Sequence, residues 1–86
     1  MSKKFAYFYF LKKEPEKIGQ IVPQHVEYWQ KLNLMGYMGG PFSDRSGGLI
    51  IFNSESKEKA ELLVSGDPFG SEGLLAQTWL NEWIPE

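Results

Sequence analysis

The chain has no cysteine. No disulfide can staple it, and no thiolate can hold a metal or act as a nucleophile. It has a single histidine, His25, so a zinc site would lack a second nitrogen ligand, and no metal or other cofactor is expected. It has no excess of positive charge: nine Lys and Arg stand against eleven Asp and Glu, for a net charge of −2. Basic pairs occur only at Lys3–Lys4 and Lys12–Lys13, so nucleic acid is not an expected partner. No apolar run approaches the roughly 18–20 residues of a membrane span. The N-terminal MSKKFAYFYFL has a short, aromatic apolar run followed by LKKEPEK, where a signal peptide would carry small cleavage-site residues. It reads as a strand of an intact, cytoplasmic protein.

What the chain does have is aromatic mass. Three Trp, four Tyr and six Phe make up 15% of 86 residues, a load suited to a core and to an interface. A chain this short forms one domain, residues 1–86, and buries only roughly 60–65% of its unfolded surface. It must fold by packing alone or with help from a partner subunit.

The central stretch is Ile21–Met35, IVPQHVEYWQKLNLM. At about 100° per residue, Ile21, Val22, Val26, Tyr28, Trp29, Leu32 and Met35 share one broad arc. His25 lies inside that arc. A buried imidazole needs a hydrogen-bond partner, and it is the side chain whose unperturbed charge changes near neutral pH. Pro23 is best tolerated in a first turn, which predicts a helix from about Val22 to Gly36 after a polar connection over Lys12–Gly19.

Around this helix the pattern predicts strands at Lys3–Leu11, Tyr37–Phe42, Gly48–Asn53 and Leu74–Ile84. A second helix runs from a Ser54 or Ser56 cap to Ser65. In the last strand Leu75, Gln77, Trp79, Asn81 and Trp83 are expected on one face. Leu74, Ala76, Thr78, Leu80 and Ile84 are expected on the other. The order βαββαβ predicts an α+β, ferredoxin-like fold: a four-stranded antiparallel sheet with two helices on one face. The first strand is apolar on both faces, so the other sheet face needs cover, and face-to-face pairing of two copies would supply it as a homodimer.

Asp67, just past the second helix, is the expected partner of His25. A carboxylate-held imidazole is oriented for general acid or base work. As an ordinary feature, Asp67 before Pro68 also caps a helical turn. Gly39–Gly40 and Gly47–Gly48 lack the Lys-Ser/Thr and helix start of a phosphate loop. Ser43 lacks a Gly-x-Ser-x-Gly elbow for a Ser43–His25–Asp67 triad, although Ser43 and Asp44 could reach a pocket at the sheet edge. Tyr7 and Tyr9 could line the interior of a barrel formed by the sheet or simply pack within the strand.

His25 in the first helix, Gly40–Pro41 after the second strand, Gly47–Gly48 before the third, Ala60, and Asp67-Pro68-Phe69 together resemble the YCII-related family. The similarity runs from Phe5 to Trp83, and Asp-Pro-Phe is its most telling motif. The resemblance implies a dimeric α+β barrel, similar in fold to muconolactone isomerase, with an active site centred on a His–Asp pair. On this chain that pair is His25 and Asp67. Gly40, Pro41, Ser43, Phe69 and Tyr7 are the expected small-molecule contacts. One characterised relative is a dehydrochlorinase of a chlorinated hydroxyhydroquinone. The implied chemistry is proton transfer on a cyclic or enolisable substrate, by isomerisation or loss of a halide. Two departures stand out: GGPFSDRSGG is rich in small polar residues, and Tyr28 and Trp29 crowd His25. The alternative is a non-catalytic module that binds a small ligand or serves as a dimeric interaction unit. Geometry separates the two: both imidazole nitrogens sealed against protein groups favour the module, and a nitrogen opening onto a cavity favours the enzyme.

Overall fold

A computed structural model describes residues 2–86. The elements run β1 (Lys3–Leu11), α1 (Pro15–Lys31), β2 (Met38–Pro41), β3 (Gly47–Ser54), α2 (Lys57–Ser65), α3 (Pro68–Ser71) and β4 (Leu75–Glu82). The strands form one antiparallel sheet in the order β2-β3-β1-β4. This is the ferredoxin-like βαββαβ arrangement, with α3 as an added single turn. No helix among the described residues is long and apolar enough to cross a membrane.

The core lies between the sheet and the helices. Phe5, Tyr7 and Tyr9 of β1 and Ile50 and Phe52 of β3 alternate toward it, as the two-residue period of a strand requires. Ile21 and Trp29 of α1, Ala60 of α2 and Phe69 of α3 close over them. The opposite sheet face carries Phe8 paired with Leu49 on one side and Trp79 on the other. Trp79 is 56% exposed and Met38, opposite Ile51, is 72% exposed. That face is apolar and uncovered in the single chain.

Three local expectations are corrected. First, α1 starts at Pro15, seven residues before Val22. Pro15 occupies the first turn, where its missing N–H costs nothing, and Glu14 is the N-cap. Pro23 therefore sits inside the helix, where it removes the bond to the Gly19 carbonyl. It lies on the solvent side, and Gly19 presents no Cβ there. The helix also ends earlier, at Lys31, because Asn33 takes a positive φ of 49°. Met35 thus falls outside it and is 73% exposed. Second, Val22 and Val26 are 40% and 41% exposed rather than buried; the buried row of α1 is Ile21, His25 and Trp29, spaced by one turn each.

Third, the faces of β4 do not alternate uniformly. Phe10 pairs with Gln77 but Leu11 pairs with Leu75, so Ala76 is an extra residue at a bulge. The bulge shifts the parity, and Leu75 and Leu80 both pack against the core.

Candidate active site

Two helix ends bring the site together. His25 is on the buried row of α1 and is 8% exposed. Asp67 is the N-cap of α3 and is fully buried. Gly66 ends α2 and Pro68 starts α3, so the chain must turn at Asp67, and its carboxylate is directed back onto α1. His25 Nδ1 lies 2.9 Å from Asp67 Oδ1 and 3.0 Å from Oδ2. Phe69 N–H donates to Oδ1 at 2.9 Å, and Trp29 Nε1–H donates to Oδ2 at 3.0 Å. An unpaired buried carboxylate would be strongly destabilising, and these N–H donors offset its desolvation.

Because both carboxylate oxygens already accept, Nδ1 is the donor to Asp67 and carries the ring proton. Nε2 is then the acceptor. It has no protein partner among the described residues, and it is not sealed: the only fully enclosed, unpartnered side-chain polar atom there is the Tyr7 hydroxyl. His25 lines a cavity of about 260 Å³ between α1 and the sheet. That is slightly below the usual 300–1,000 Å³ of ligand pockets, a size for a single-ring compound.

The cavity walls are aromatic and aliphatic. Phe69 stacks on the His25 ring at 4.3 Å between centroids, and the Tyr9 ring approaches at 5.3 Å. Asp-Pro-Phe thus supplies the partner carboxylate, the helix start and the stacking ring in consecutive residues. Tyr9 and Tyr37 line the cavity. A Cβ on Gly48 would collide with the Tyr9 hydroxyl, so the tyrosine leans over the glycine opposite it in the sheet. Burial, reinforced by the charge of Asp67 and by Tyr37, pushes the Tyr9 hydroxyl up to about 12. It stays neutral and able to donate a hydrogen bond at any physiological pH. Burial likewise raises Tyr37, with Asp67 adding to the effect.

Of the residues expected from sequence, His25, Gly40, Pro41 and Phe69 line this cavity, and Asp67 stands behind His25. Tyr7 does not line it. Tyr7 is fully buried against Trp29, with ring centroids 6.2 Å apart, and burial raises its hydroxyl well above the ordinary range. Ser43 does not line it either: it sits exposed in the β2–β3 turn, where Arg45, also exposed, lines the cavity instead. Trp29 and Arg45 were not anticipated at the site, nor was Tyr37 as a lining residue, and Tyr9 was expected either to line the interior or simply to pack. Trp29, four residues after His25, faces Asp67 because a buried indole N–H needs an acceptor. Tyr9 could have been found from its place across from a glycine. Arg45 carries no sequence signal that separates it from an ordinary turn residue.

The YCII-related domain family matches residues 5–84. The chain belongs to the YCII-related family. Among solved structures it is similar to the 5-chloro-2-hydroxyhydroquinone dehydrochlorinase TftG from Burkholderia phenoliruptrix AC1100, in complex with 2,5-dihydroxybenzoquinone. The TM-score is 0.82 at 22% identity, over 94% of this chain and 93% of that one. A Bacteriodes thetaiotaomicron protein assigned to the antibiotic biosynthesis monooxygenases has a TM-score of 0.63 at 12% identity, over 98% of this chain and 89% of that one. Another antibiotic biosynthesis monooxygenase gives 0.59 at 15%, over 99% and 100%. At these identities the likeness establishes the fold of this YCII-related chain. A search of the curated proteins finds no match.

Proposed function

We propose that this YCII-related protein is a small-molecule enzyme in which His25 moves a proton on a cyclic or enolisable substrate, in isomerase or dehydrohalogenase-type chemistry. The observation that carries the reading is the asymmetry of His25: Nδ1 is held by a buried carboxylate, whereas Nε2 is unpartnered and not enclosed, on a ring that lines a ring-sized cavity. In the forward step Nε2 accepts a proton from a substrate C–H or O–H. The released electron pair forms a new double bond. On a halogenated ring whose keto tautomer carries the halogen and a hydrogen on one saturated carbon, the halide leaves with its bonding pair, so the net loss is one hydrogen halide. In an isomerisation the same proton returns to a different carbon. Asp67 keeps the ring oriented and offsets the charge of the imidazolium. The neutral Tyr9 hydroxyl is available to a developing oxyanion.

The fold neighbour that is a dehydrochlorinase supports the choice of halide elimination as the first activity to assay. Chloride release from 5-chloro-2-hydroxyhydroquinone should be faster with the protein than without it, and should fall to background in His25→Ala. A folded His25→Ala releasing chloride at the parent rate sinks the proposal. Ring-compound binding without turnover of any kind would favour the non-catalytic module instead.

The same reading includes a homodimer built by pairing the bare sheet faces, supported by the exposed Trp79 and Met38 beside Phe8, Leu49 and Ile51. A cytoplasmic location belongs to it as well.

A further inference from the structure

One residue at the cavity has no role in the proton transfer and no partner. Arg45 is the only permanently charged side chain lining the cavity among the described residues. No ion pair engages it there. The adjacent carboxylate, Asp44, is occupied by Ser46, whose N–H and hydroxyl donate to Oδ1 at 3.0 and 2.6 Å.

The backbone that carries Arg45 is fixed. Arg45 N–H donates to the Phe42 carbonyl at 3.0 Å, Phe42 N–H to Gly47 at 2.8 Å, and Leu11 N–H to Ser46 at 2.8 Å. Arg45 itself has a φ of 64°. That region is unfavourable for a long side chain and is readily adopted by glycine or asparagine. The turn places this exposed arginine, at a backbone conformation that favours glycine or asparagine, beside a ring-sized aromatic cavity. The guanidinium is a planar fork that matches the oxygens of a carboxylate or of an ionised ring.

We propose that Arg45 is the specificity-determining residue of this cavity, and that its ligand is a ring compound bearing an ionised oxygen, as a phenolate, enolate or carboxylate. The proposal rests on the cavity beside His25 being the ligand site. It gives the proton transfer a further logic: the guanidinium supplies a cation at the same cavity for the negative charge left on the ring when Nε2 takes a proton.

The test is binding of 2,5-dihydroxybenzoquinone, which is anionic at neutral pH, against its neutral 2,5-dimethoxy ether, both by calorimetry. The parent protein should prefer the anion. Arg45→Gln should weaken anion binding about tenfold, the equivalent of one charge-assisted contact, and leave the ether within about twofold. Arg45→Lys should restore part of the loss. Equal loss of both ligands in Arg45→Gln, unchanged anion binding in that variant, or no preference in the parent each overturns the proposal. The outcome is separable from the catalytic reading, which His25→Ala tests through turnover: a charge-selective site with no turnover leaves Arg45's role standing, and His25-dependent turnover without charge selection removes it.

Discussion

Asp67→Asn changes one atom and should change both stability and the state of His25. In the parent protein both carboxylate oxygens face N–H donors: Oδ1 meets His25 and Phe69, and Oδ2 meets His25 and Trp29. An asparagine amide must place its NH2 at one of those positions. At the Oδ1 position it opposes Phe69 N–H; at the Oδ2 position it opposes Trp29 Nε1–H. Either way one buried donor loses its acceptor, at a cost of about 1–3 kcal/mol. For a domain of this size that lowers the melting temperature by roughly 4–8 °C per kcal/mol. The NH2 also faces His25 Nδ1, which can accept from it only by giving up its proton. The tautomer then reverses, and Nε2 presents an N–H to the cavity in place of a lone pair. General-base catalysis would fall by about 10²–10⁴-fold. Thermal unfolding gives the first number, and nitrogen-15 NMR of the imidazole gives the tautomer. The single histidine leaves no ambiguity of assignment. An Asp67→Asn protein that melts with the parent and keeps Nδ1 protonated would refute the hydrogen-bond reasoning.

Other outcomes follow from the same contacts. Trp29→Phe keeps a ring in the core but removes the 3.0 Å bond to Asp67; it should destabilise by about 1–3 kcal/mol in urea unfolding. Gly48→Ala puts a methyl into the Tyr9 hydroxyl and should cost about 1–3 kcal/mol as overpacking, with weakened ring-compound binding. The unfolded phenol titrates near 10.0, whereas Tyr9 in the fold titrates at about 12 and Tyr7 is raised as well. Folding therefore favours their protonated forms: the stabilisation is intact below pH 10 and is lost as pH rises from 10 towards 12. Tyrosinate absorbance followed with circular dichroism should show ionisation of these two tyrosines coinciding with unfolding; full ionisation near pH 10 in a folded chain would contradict it. Trp79→Lys should convert a sedimenting dimer to a 9.9 kDa monomer, and a stable monomer of the parent protein would remove the proposed interface.

The element order and the sheet were legible because short apolar runs bounded by Gly, Pro and polar turns mark the strands, and each helix carries its own stripe. The start of α1 was not, because two prolines, Pro15 and Pro23, compete for the first turn, and only the solvent-facing placement of Pro23 decides between them. The faces of β4 were not, because the extra Ala76 changes parity without any change in residue type. The meeting of His25 with Asp67 was legible from two local needs: an imidazole on a buried stripe must find an acceptor, and an aspartate before proline must cap. Trp29's share in that carboxylate required knowing that α3 folds back over α1. Tyr7 and Tyr9 alternate alike in sequence, yet only Tyr9 reaches the cavity, since the space that admits it is created by Gly48 on a different strand.

In the proposed reaction His25 takes a proton from a bound ring compound through Nε2. Deuterium wash-in at the α-carbon of an enolisable ring ketone, followed by proton NMR in D2O, measures that step without requiring the physiological substrate. The parent protein should accelerate exchange over buffer, and a folded His25→Asn should lose at least about 10² of that acceleration. Exchange at the parent rate in His25→Asn would contradict the account.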